Sequence, residues 1–209
     1  MKSLLLKDML NLRKYFRTLA LFIILYSFIS FSMDDLNLLS GMITMFFAMI
    51  PITSFSYDQH SNWDLFALSL PISRKDIVFS KYLLSIGFIG TGAILSLLIG
   101  YIITMFKDSA TFDVKTQLIV AYSLFAIGIV FISVLLPLIY KFGIEKSRIM
   151  MLVVFLVPTL IIILLAKSGI PMPTDADLLI LLKISPILIG MILFVSFYIS
   201  YKLFMGKDL

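Results

Sequence analysis

Cysteine is absent from the 209 residues, and histidine and tryptophan occur once each. Without a thiol there is no cysteine nucleophile, no disulfide and no cysteine-based metal site. A single imidazole cannot build a metal centre, and His60, two residues from Asp58, reads as a solvated loop residue. No G-x-x-x-x-G-K-[ST] stretch occurs, so this chain cannot hydrolyse ATP by itself. Charge is scarce at 14%, and it is absent from six long runs: Thr18–Met33, Leu36–Tyr57, Leu83–Phe106, Gln117–Tyr140, Ile149–Ala166 and Ile184–Tyr201. Proton relays, ion-coupled carriers, voltage sensors and intramembrane metalloproteases need ionisable or ligating groups inside such runs. Those classes are therefore disfavoured.

What remains is hydrocarbon. The chain is 61% hydrophobic, and its 17 basic and 12 acidic residues all lie between or beyond the runs. A bilayer core of about 30 Å needs about 20 apolar helical residues. Continuous apolar runs do not suit the alternating strands of a barrel. The sequence predicts an all-α polytopic membrane protein with six transmembrane helices. They form a single domain over 1–209, because six spans leave no length for a second folded body. The three leucines before Lys7 are too few for a signal-peptide core, and no small-residue cleavage site follows Met33, which predicts no cleaved signal.

The placement of positive charge orients the chain. Thirteen of its 17 Lys and Arg fall in the N-terminus, the second loop, the fourth loop and the C-terminus. By the positive-inside rule both termini are cytoplasmic, in a cell-membrane protein. Tyr15, Tyr57, Tyr82, Tyr140 and Tyr201 fall near the same boundary, as an aromatic belt would. The net charge of +5 is explained by this placement rather than by a nucleic-acid partner.

Residues 1–17 have helical periodicity. Leu5, Met9, Leu12 and Phe16 form one stripe, with Lys7, Asn11 and Lys14 opposite. This predicts an interfacial amphipathic helix bent away from the first span, against the simpler reading that it begins that span. The segment 58–81 is the longest hydrophilic stretch. Ser61 to Asp64 and Ser73 to Asp76 each have capping-box spacing, and Trp63, Phe66, Ala67 and Leu70 recur at helical intervals before Pro71. A short helix with one apolar face must lie on headgroups or enter a protein cleft.

On the outer side, Met33–Asp35 allows a tight turn and Lys107–Thr116 a modest loop. Residues 168–185 either dip into the outer leaflet as a short helix or belong to one long, kinked final helix containing Pro186. Gly92, Ser96 and Gly100 make a small-residue stripe on the third span, suited to packing within the chain or to a dimer seam.

The run Asn62-Trp63-Asp64 through Leu70-Pro71-Ile72-Ser73-Arg74-Lys75-Asp76-Ile77-Val78, then Ser80-Lys81-Tyr82, resembles the small ABC-2-type transporter permeases. The opening Leu5-Leu6-Lys7-Asp8 is similar too, and so is the layout of the whole chain. The resemblance implies a pair of permease chains, identical or homologous, each docked on a separate ABC ATPase subunit. ATP binds to that partner, and this chain carries no cofactor and no catalytic residue. The family's coupling helix maps onto Trp63, Phe66, Ala67 and Leu70, and the turn after it onto Pro71, Ser73, Arg74, Lys75 and Asp76. Exported lipids, glycans, drugs or peptides are the family's cargoes. With no large outer domain and uncharged spans, a hydrophobic or amphipathic substrate such as a peptide or drug is expected. Two alternatives stay open. One is the substrate-capturing membrane subunit of an uptake system, disfavoured because Thr18–Met33 holds only Ala20. The other is a non-transporting immunity or assembly protein.

Overall fold

The computed structural model describes residues 2–33, 35–106, 113–167 and 175–206. Among these there are helices and turns but no strand. The elements are α1 (Lys2–Met33), α2 (Leu36–His60), α3 (Trp63–Leu68), α4 (Arg74–Met105), α5 (Val114–Phe142), α6 (Ile144–Lys167) and α7 (Asp175–Met205). Five stretches are long and apolar enough to cross a membrane: Lys2–Met33, Leu36–His60, Arg74–Met105, Val114–Phe142 and Ile180–Met205. The uncharged run 149–166 lies within α6, a helix of 24 residues.

The helices overrun the uncharged runs. At 32 residues each, α1 and α4 are about 48 Å long, well beyond a hydrocarbon core of about 30 Å. Their charged ends are therefore helical and stand outside the apolar layer. Residues 2–17 are not a separate element, since one helix runs unbroken from Lys2 to Met33. Its buried stripe also differs from the expected one. Leu4, Asp8, Leu12 and Leu19 face inward, whereas Met9 and Phe16 are exposed. Of the expected stripe only Leu12 is buried and Leu5 partly so, and the inward face turns instead toward Asp8, a polar group with partners inside. The belt is likewise only partial. Tyr15 is exposed and meets Tyr57 edge-on at 6.1 Å, but Tyr82 and Tyr140 are buried within the protein.

The chain divides into two compact units, Met1–Phe131 and Ile132–Asp208, with the boundary inside α5. In the first, α1, α2 and α4 pack on one another, α2 against α4 most extensively. Asp35 caps α2, accepting from the amides of Asn37 and Leu38 at 2.9 and 3.2 Å, and Ser30 Oγ donates to the Asp35 carbonyl at 2.7 Å. This closes the tight turn between the first two spans. Leu12, Leu39, Ile43, Phe47, Leu84 and Phe88 form the shared core. Gly92 is buried against it, and a Cβ there would lie 2.7 Å from Phe47 Cβ. That position of the small-residue stripe serves packing within the chain.

At the start of α5, Asp113 accepts from the Lys115 amide at 3.1 Å and from the Thr116 hydroxyl. The Thr116 bond, ahead of smaller contributions, holds the Asp113 carboxyl below its usual range.

In the second unit, α5 gives way to α6 at Gly143 alone, whose φ of 78° is the left-handed region that glycine occupies without strain. The fourth loop is thus one residue long, and Lys141, Lys146 and Arg148 lie on helices. The buried residues of α7, among those described, are Ser196, Ser200 and Phe204, one turn apart in succession. Phe204 meets Tyr140 edge-on at 5.5 Å. Of the expected outer-leaflet segment, 168–174 lie outside the described residues. From Asp175 onward the chain is one helix that includes Pro186, which favours the long kinked final helix.

Candidate functional site

The segment joining α2 to α4 is built by three local devices. Ser61 does not start α3. It ends α2 instead, with Oγ donating to the Tyr57 carbonyl at 2.8 Å and its amide to the same carbonyl at 3.0 Å. Asn62 then takes a left-handed conformation, φ 50°, and precedes α3 without a side-chain cap bond. The expected Ser61–Asp64 box is therefore replaced by an Asn turn, a conformation Asn tolerates better than most residues. Next, the Ile72 amide donates to the Leu70 carbonyl at 2.7 Å, a three-residue turn centred on Pro71. Finally, the Ser73 cap forms as expected. Its Oγ accepts from the Asp76 amide at 3.1 Å, and Asp76 lies in the first turn of α4.

α3 is only six residues long and packs on α2. Ala67 is fully buried. Leu65 and Phe66 point away and are more than half exposed. Trp63 is half-buried, 5.4 Å from the Phe66 ring. Leu70, Arg74 and Asp76 are half-buried, and Pro71, Ser73 and Lys75 are exposed. The expected apolar face of Trp63, Phe66, Ala67 and Leu70 is thus divided. Ala67 is its anchor, Phe66 its outward side, and Leu65 joins Phe66 on the surface.

A cluster of charges that the sequence reading did not bring together lies at the same end of the bundle. Lys81, the eighth residue of α4, is buried, and so are Asp8 of α1 and Asp58 of α2. Lys81 Nζ lies 3.0 Å from both Asp8 oxygens, 2.5 Å from Asp58 Oδ2 and 2.7 Å from Ser54 Oγ. Lys7 Nζ lies 2.6 Å from Asp58 Oδ1 and 3.0 Å from Asp8 Oδ1. It also stands 4.1 Å from the centre of the Trp63 ring, over its face. Two carboxylates and two ammonium groups balance, which makes burial tolerable. One signal for this was available: Leu4, Asp8 and Leu12 share a helix face, and an acid between two inward leucines needs a partner. Among the described residues no group of acids and His60 could hold a metal.

Further along, α1 and α2 line a half-open apolar hollow of about 180 Å³ whose walls include Leu12, Leu19, Phe22, Phe46 and Ile50. Phe22 stacks on Phe46 there at 4.7 Å.

No curated protein and no solved structure matches the chain. A family model described as an ABC-2 family transporter protein matches residues 3–205. That match takes in the five span-length helices, α3, its flanking turns and the charge cluster, so the chain is a multi-pass membrane protein that belongs to the ABC-2 transporter family.

Proposed function

We propose that this chain is the permease subunit of an ABC exporter, with ATP hydrolysed by a separate ATPase subunit. The observation that carries this reading is α3 in its family context. A six-residue helix between the second and third span-length helices packs on α2, buries Ala67 and offers Leu65 and Phe66 to solvent. Two large apolar side chains, fixed on a short rod beside Pro71, are suited to a cleft on a soluble subunit. In this reading α6 is the sixth span, both termini are cytoplasmic, and two permease chains pair, identical or homologous. The chain itself is not an enzyme. Trp63, Phe66, Ala67, Leu70, Pro71, Ser73, Arg74, Lys75 and Asp76 make or shape the ATPase contact. The apolar hollow between α1 and α2 is in keeping with a hydrophobic or amphipathic cargo such as a peptide or drug.

The test is purification from native membranes. The chain is expected to retain an ATP-hydrolysing subunit. Leu65→Ala with Phe66→Ala is expected to lower the retained amount about tenfold, the loss of roughly one interfacial anchor. Undiminished retention and hydrolysis in that double variant would remove α3 from the docking surface.

A further inference from the structure

The docking just described makes no use of Lys7, Asp8, Asp58 or Lys81, yet three of them are almost wholly withdrawn from solvent. Burying charges is costly, and a buried ion pair is often no more stable than apolar side chains of similar volume. Apolar neighbours are at hand, since Leu4, Leu12, Phe55 and Val78 are all buried. What charges provide that leucines do not is a single register. An ammonium has three N–H donors. Those of Lys81 have three side chains to meet: Asp8 from α1, and Ser54 and Asp58 from α2. Lys7 in turn meets Asp8, Asp58 and the Trp63 ring. Sliding α4 past α1 by one turn, about 5.4 Å, would break several of these contacts together. Oily surfaces could slip and re-form.

Lys7 has a second property. α3 packs on α2, and the Lys7–Trp63 contact ties it to α1 as well. We propose that Lys7, Asp8, Asp58 and Lys81 are positioning residues that act as one joint. Through the joint, a displacement of α3 moves the cytoplasmic ends of α1, α2 and α4 as a unit. Its role in transport rests on the reading of α3 as the ATPase-docking element. The mechanical linkage does not.

Trp63 is the only tryptophan, so its fluorescence reports on α3 without a label. The first experiment compares the wild type, in lipid nanodiscs, with Asp8→Leu/Lys81→Met. That variant keeps charge balance, exchanges the buried pair for apolar groups, and leaves Lys7, Asp58 and Trp63 in place. Neither altered residue touches the indole in the contacts above. The joint predicts that acrylamide quenching of Trp63 changes about threefold, a magnitude typical of coupled residues. An unchanged quenching constant overturns it. Should the variant fail to assemble, Lys7→Met carries the test from the other side. With Ser54→Cys as the sole thiol, Lys7→Met is expected to raise its reactivity about threefold, although Ser54 bonds Lys81 and not Lys7. Lys7→Arg, which keeps charge and ring contact, is expected to restore the lower rate. Equal reactivity in all three overturns the joint.

The second readout uses the complex. Asp8→Leu/Lys81→Met is expected to retain the ATPase subunit as the wild type does, but to lose about fivefold in cargo-stimulated hydrolysis. Full stimulation would refute transmission through the joint. If the wild type retained no ATPase, the docking reading would fall, and the fluorescence result would still decide the linkage.

Discussion

Gly92 and Gly87 lie five residues apart on α4, yet substitution has opposite meanings at the two positions. A methyl group at Gly92 would meet Phe47 Cβ at 2.7 Å and Cγ at 2.9 Å. Those atoms sit close to the α2 backbone and cannot swing aside as a side-chain tip would. Gly92→Ala is therefore expected to destabilise the protein by about 2 kcal/mol, the scale of an overpacked core. At Gly87 nothing lies within 4 Å, and Gly87→Ala is expected to be neutral or to stabilise by up to about 1 kcal/mol through helix propensity. Thermal unfolding of both variants in one detergent checks the contrast. Equal midpoints would show that α2 and α4 do not approach so closely at Gly92.

At the scale of the element, α5 and α7 share an exchange of hydrogen bonds. Pro137 lies inside α5 and has no N–H for the carbonyl of Ser133, one turn earlier. Ser196 of α7 donates its hydroxyl to that carbonyl at 2.5 Å. Ser196→Ala is expected to lower stability by about 1 kcal/mol, and Pro137→Ala, which supplies an in-helix donor, should reduce that cost in the double variant. Additive losses would mean the two residues act independently. This pairing was not legible in the sequence, because no local spacing links Pro137 to a serine on another helix. The five span-length helices were legible, because hydrocarbon leaves the chain little choice but helix. The Ser73 cap was legible as well, since its partner is three residues away. The Ser61 cap was misread because one serine can end a helix as readily as start one. The Lys81 cluster was missed because its members are separated by up to 74 residues, so no local spacing brings them together.

For the whole molecule, orientation is the property the proposed mechanism most requires, and the absence of cysteine makes it measurable. Single cysteines at Lys14, Lys75 and Lys146 are expected to react with a membrane-impermeant maleimide only after cells are opened. One at Lys115 is expected to react in intact cells. Labelling of Lys75→Cys from outside would place α3 beyond reach of any cytoplasmic ATPase. The arrangement also separates two duties. α1, α2 and α4 with α3 carry the charge cluster and the candidate docking surface within Met1–Phe131, whereas Ile132–Asp208 holds the Ser196–Ser133 seam.

The bond between Asp8 and Lys81 also bears on biogenesis. The ribosome makes the acid first, and its main counter-ion emerges 73 residues later, after two span-length helices have already left the exit tunnel. During that interval the newborn N-terminal segment has Lys7 beside it but not the base that completes its burial. Final seating of the first helix must therefore wait for the fourth, which makes this end of the bundle a late step in assembly rather than an early one.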